Sequence, residues 1–194
     1  MINVLQQVLM TYFQVATFKR SPLNTPSNRF MLGLSFGLVL LANLCQILMV
    51  MVLTRGLVAI PVSEMMSSMG LMLLSIIAQI LFFGLFVYLV LHYHRLITYF
   101  YQFMISWLML LFFIEVVPSV VMLFFKLLLM VAHLSLDSVS AALLVISVVL
   151  SIWKVSFMVH LFRVVLDKTF LYAFLVCLMW FAINALILYV FRLI

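Results

Sequence analysis

The chain has 194 residues, 70% of them hydrophobic and 7% charged, with a mean hydropathy of +1.45, a formal net charge of +6 and a pI near 9.6. A water-soluble domain carries far more polar surface, so lipid must solvate much of this one. The bases sit at the ends of apolar runs and not in a polar domain with interleaved aromatics, which excludes nucleic-acid binding and points to anchoring at anionic headgroups.

Residues 1–18 put Ile2, Leu5, Leu9 and Phe13 on one helical line, with Gln6, Gln7 and Gln14 off it. The stretch is too polar and too short to span, and predicts an interfacial helix lying in the headgroup plane. It lacks a basic leader and an early small-residue cleavage site, so the chain reads as mature. A loop rich in turn formers follows, with Lys19, Arg20, Pro22, Pro26 and Arg29.

Five apolar runs come next, at 32–54, 66–91, 98–132, 138–162 and 169–191. About 20 helical residues cross a bilayer core, and each run meets that length. The third would be roughly 50 Å long as one straight helix, too long for one upright crossing and too short for two. Pro118 lies inside it and removes a bond to the carbonyl of Ile114, so a break or kink is expected there. The expected result is a span at 98–117 and a shorter segment at 119–132 along the interface or folded partly back. The fold class is therefore all-α. It is a polytopic bundle of about five transmembrane helices (32–194), with a cytosolic interfacial helix and loop (1–31) before it.

Five spans place Lys19, Arg20, Arg29, Arg95, Arg163 and Lys168 on one side, against Arg55 and Arg192 on the other. A sixth span at 119–132 would weaken the bias to five against three. The excess of bases predicts a cytoplasmic N-terminus in a bacterial inner membrane.

Few residues inside the spans carry chemistry. Glu115 has two readings: a proton or cation site, or a structural acid near the interface, hydrogen-bonded across helices or paired with Lys126. Lys126 shares its face about three turns on and would need folding at Pro118 to approach. Lys154 shares a stripe with Ser140, Ser147 and Ser151, and the second span has a matching stripe of Ser68, Ser75 and Gln79. These stripes are helix contacts with Lys154 snorkelling to the interface, or else a polar seam lining a ligand or ion site. Asn184 joins that seam or serves as interhelical glue. Gly33 and Gly37 form a GxxxG for intrachain packing or dimerisation. Cys45 and Cys177 lie in apolar runs without metal-ligand spacing and read as packing residues. His92 and His160 are the one pair at matched depth that could face a haem, but the geometry is poor and no cofactor or metal is expected. With only Glu64, Glu115, Asp137 and Asp167 as acids, no nucleophile–base–orienter set forms, and no catalysis is expected.

The run Ile146 to Lys154, with Trp153 low in the fourth span, is followed by Val159 to Arg163 and by Lys168, Thr169 and Phe170 opening the last span. This pattern resembles the bacterial branch of the Yip family. The resemblance implies a five-span, non-enzymatic membrane protein acting through partners, with Trp153, Lys154 and Arg163 as positions of structural or partner importance. The expected function is a membrane scaffold or accessory subunit working through lipid and a membrane-protein partner or a second copy of itself. The alternative is a small carrier, channel or proton-linked transporter using Glu115 and Lys154.

Overall fold

The computed structural model describes residues 2–25, 27–54, 62–132 and 136–193. Arg55 lies outside the described residues, as do the side chains of Glu64, Ser68, Pro118, Lys126, Asp137, Ser140 and Arg192. Every regular element among the described residues is helical: α1 (Ile2–Ala16), α2 (Arg29–Thr54), α3 (Val62–Tyr93), α4 (Phe100–Ala132), α5 (Leu136–Leu166) and α6 (Phe170–Leu193). Short 3-10 turns at Pro22–Asn24 and Ile97–Tyr99 precede α2 and α4. Helices are the natural outcome for such a chain, because hydrocarbon offers no partner to a free N–H or C=O. Five stretches are long and apolar enough to cross a membrane: Arg29–Leu48, Gly70–Tyr93, Ile97–Val121, Leu144–Leu166 and Phe170–Tyr189. The protein is a multi-pass helical membrane protein.

The spans run up and down with tight turns at one end. α1, α3 and α5 are each followed, one or two residues on, by a residue in the left-handed region, Phe18 (φ 61°), Arg95 (φ 59°) and Asp167 (φ 49°). In each case the next N–H reaches the carbonyl five residues back: Lys19 to Gln14 at 2.8 Å, Leu96 to Leu91 at 2.8 Å and Lys168 to Arg163 at 3.4 Å. This is the Schellman closure, and it satisfies carbonyls that the helix end would otherwise orphan. No glycine supplies it here, so each turn carries the modest steric cost of a side chain at positive φ. The turn after α3 is tied to the start of α6 by a 2.8 Å hydrogen bond between His94 Nε2 and the Tyr172 hydroxyl. Arg29, Arg95, Arg163 and Lys168 thus gather at one end of the bundle.

α4 is the axis. Its span is 59% buried, against 22–28% for the other four. It packs most extensively on α2, then on α5 and α1. Phe103, Ile105, Leu108 and Leu110 are sealed within it. The break expected at Pro118 is not present: α4 is one continuous helix from Phe100 to Ala132, and no separate segment exists at 119–132. A proline forfeits a single backbone bond, while ending the helix would strip several groups in an environment that cannot solvate them. The Ser119 hydroxyl donates to the Glu115 carbonyl at 2.9 Å and helps hold the turn.

α1 docks on the bundle. Tyr12, Val15 and Ala16 are buried, and Tyr12 packs with Ile105 and Met109 of α4. Phe13 meets Phe113 edge-on at 5.6 Å, and Trp153 Nε1 donates to the Ala16 carbonyl at 2.9 Å. Phe113 lies between three and four turns into α4, about 20 Å from its start. The C-terminal part of α1 therefore sits well down the bundle. The return segment climbs past Phe157 and His160, both touched by Phe18, to Leu23, whose carbonyl accepts from Gln102 Nε2 at 3.3 Å. Burial holds the Tyr12 hydroxyl above its ordinary pKa, an effect opposed by its hydrogen bond with Thr25.

Candidate functional site

One cavity in the middle of the bundle collects a polar side chain from every span. Asn43 comes from α2, Gln79 from α3, Glu115 from α4, Lys154 from α5 and Asn184 from α6. Its volume is about 110 Å³, and Phe83, Trp107 and Trp180 form an aromatic wall. Depth explains the convergence. Counted from the helix ends on the basic side, Asn43 lies about four turns in from Arg29, and Gln79 about four from Tyr93. Glu115 lies about four turns from Phe100 and Asn184 about four from Phe170, while Lys154 lies between three and four from Leu166. At about 5.4 Å per turn, all five sit roughly 18 to 23 Å in, near the middle of a bilayer core.

Glu115 and Lys154 attract each other across this space. No direct ion pair or hydrogen bond joins them among the described residues, so the attraction works through the cavity. Lys154 Nζ stands 5.5 Å from the ring centroid of Trp107, a cation–π placement that partly offsets its desolvation. Asn43 donates its amide N–H to the Val39 carbonyl at 2.9 Å, and Gln79 donates to Ser75 Oγ at 3.2 Å. These local bonds fix the two amides. Asn184 Oδ1 is buried without a partner among the described residues, an acceptor that lacks a donor.

Toward the basic end, aromatics close the cavity. Phe83 packs against Trp107 at 4.6 Å and Trp180 at 4.8 Å. Phe86 backs Trp180 at 5.7 Å, and Phe103 meets Phe162 at 4.7 Å. Trp107, Phe83 and Trp180 lie only about two to three turns from the basic-side helix ends. They form a layer between the polar centre and the basic surface.

The sequence-predicted residues separate cleanly. Glu115, Lys154, Gln79 and Asn184 come together, and Lys154 does not snorkel to the interface. Among the described residues the cation that acts on Glu115 is Lys154, and the side chain of Lys126 lies outside them. The serine stripe does not accompany Lys154: Ser147 and Ser151 are exposed, with Ser151 Oγ donating to the Ser147 carbonyl at 2.8 Å. Trp153 points away from the cavity and clamps α1. Arg163 is exposed in the last turn of α5, beside a shallow pocket that also holds His160. Gly33 and Gly37 make no close helix contact within the chain, since a Cβ on either would meet nothing within 4 Å. His160 meets Phe18 edge-on at 5.0 Å while His92 stacks on Tyr88 at 5.9 Å, so the two histidines do not face one space. Among the described residues no cluster of three metal-ligating side chains forms. Cys177 is buried in the core and Cys45 faces outward. Asn43 is the member of the site that sequence reasoning does not single out; its signal is a lone amide at the same depth as the other four.

Fold and site together define a five-span helical membrane protein with a desolvated polar centre. No family model, curated protein or solved structure matches the chain.

Proposed function

We propose that this protein is a small membrane carrier whose cavity binds a proton or a small cation at Glu115, with Lys154 as the counter-charge that the incoming species displaces. The observation that carries the reading is the convergence of one polar side chain per span at one depth. Each such group is costly in hydrocarbon, and five arriving together by chance at one cavity would be five separate costs with no return in packing. The cavity's size supports a small occupant: at about 30 Å³ per water it holds three or four. Glu115 and the orphan Asn184 Oδ1 supply acceptors, and the Trp107 and Trp180 faces are compatible with positive charge. A proton or cation reaching Glu115 cancels its pull on Lys154 and leaves that ammonium to Trp107. The cavity's electrostatics then differ between loaded and empty states, as a carrier requires. Passage to the basic end requires the Phe83–Trp107–Trp180 layer to part. The excess of bases at that end supports a cytoplasmic N-terminus and an inner-membrane location.

A scaffold reading rests on a different observation, the bases gathered on one face, and on the layout resembling the Yip family. One experiment separates the two. The protein is reconstituted into vesicles loaded with a pH-sensitive dye, and a sodium or potassium gradient is imposed. The carrier reading expects proton movement that falls at least ten-fold in Glu115→Gln while the variant still elutes as a single species in detergent. Absence of flux in the wild type, together with a membrane protein retained through gentle purification, would establish the scaffold instead.

A further inference from the structure

A second concavity, unrelated to the polar cavity in chemistry, lies on the outside of the bundle. It lies between α2 and α3 and is floored by α4, all three of which supply its lining. Its volume is about 520 Å³, and Gly33, Phe36, Ile80, Gly84 and Met104 are among its walls. The surface is almost wholly apolar. The single charged group in its lining is Arg29, at the basic end, where α2 begins. On α4 the groove runs from Phe100 to Leu108, about 12 Å of helix.

Two features keep it open. A Cβ on Gly33 would meet nothing within 4 Å, so the glycine faces free space, while a Cβ on Gly84 would come within 3.4 Å of Met104 Cε. Arg29 is exposed, and no acidic side chain pairs with it among the described residues. Arg95, after the last turn of α3, adds positive charge at the same end. An apolar slot along the membrane normal, with a free guanidinium where headgroups lie, is complementary to a molecule with a hydrocarbon tail and an anionic head. Guanidinium and phosphate match as planar fork and oxygen pair. The volume, several times that of the polar cavity, has room for a length of hydrocarbon.

We infer that this groove is a lipid site holding one acyl chain of an anionic phospholipid, with the phosphate on Arg29. The occupant is membrane lipid and not a second copy of the chain, because the one charge at the mouth is positive and a second copy would bring the same net charge of +6 to it.

The test is native mass spectrometry of the full chain from mixed micelles of phosphatidylglycerol and phosphatidylcholine with identical acyl chains. The wild type is expected to retain one phosphatidylglycerol, in at least ten-fold preference. Gly33→Leu, which fills the groove, should lose the bound lipid about ten-fold. Gly37→Leu, equally open but outside the groove, should keep it. Arg29→Gln should retain lipid while losing the preference for phosphatidylglycerol, and this variant tests the site even if Gly33→Leu fails to fold. Equal retention in Gly33→Leu and wild type, no headgroup preference in the wild type, or a wild-type dimer that Gly33→Leu splits would each overturn the assignment.

Discussion

Removing one charge of the Glu115–Lys154 pair should cost more than removing both. No direct ion pair joins them among the described residues, so the two charges stand apart across the cavity. At an effective dielectric of about 20, two unit charges about 4 Å apart attract by about 4 kcal/mol, and a wider separation gives less. Glu115→Gln leaves Lys154 in a desolvated site with only Trp107 against it, and a cation–π contact of this kind contributes about 2 kcal/mol at best. Lys154→Met leaves the Glu115 carboxylate without its cation. A truncated buried pair typically costs about 3–5 kcal/mol, and the gap between these partners puts the expectation at the lower end. For a chain of this size each kcal/mol moves the midpoint by about 2–4 °C, so each single variant should lose roughly 6–12 °C. The double variant, Glu115→Gln with Lys154→Met, has no stranded charge and should return to within a few degrees of wild type. The assay is the fraction of monodisperse protein surviving a heating series in one detergent, read by size-exclusion chromatography. Additive losses in the double variant would mean the two residues do not interact across the cavity, and the site would dissolve into separate polar groups.

Further outcomes follow from the packing and the topology. Trp153→Phe removes the N–H that holds the Ala16 carbonyl, costing about 1–2 kcal/mol; limited proteolysis should cut the segment after α1 several-fold faster, with the spans left intact. Phe83→Ala empties the centre of the aromatic layer, where Phe83 is 1% exposed, and should cost about 3–5 kcal/mol, seen as a large fall in thermal survival. The same variant should make a cysteine introduced at Gln79 reachable by a water-soluble reagent from the basic side, and continued protection in a folded variant would argue against the layer as the barrier. Single cysteines at Arg95 and Lys168, in a Cys45→Ser background, should label from one side of the membrane. Labelling from opposite sides would break the five-span order.

Much of this molecule is legible in one dimension. The five spans follow from hydropathy and length, because a helix in lipid is a local solution that each run reaches alone. The grouping of Arg29, Arg95, Arg163 and Lys168 follows once the number of spans is set. Gln79, Glu115, Lys154 and Asn184 stand out individually, since a polar group in an apolar run is conspicuous wherever it points. Pro118 misleads, because its cost within a helix is visible in the sequence while the larger cost of ending a helix in hydrocarbon is not. The serine stripe misleads because helical spacing puts residues on a common face without saying whether a neighbouring helix covers it.

The sequence by itself determined which solvent surrounds the chain, how often it crosses, and how deep each polar residue lies. Only the tertiary structure decided that Glu115 and Lys154 share one cavity, that Asn43 belongs with them, and that α1 is clamped to the bundle by Trp153. Depth depends on counting along one helix. Facing depends on the rotation and order of five helices around α4, and those are set by contacts between residues far apart in the chain.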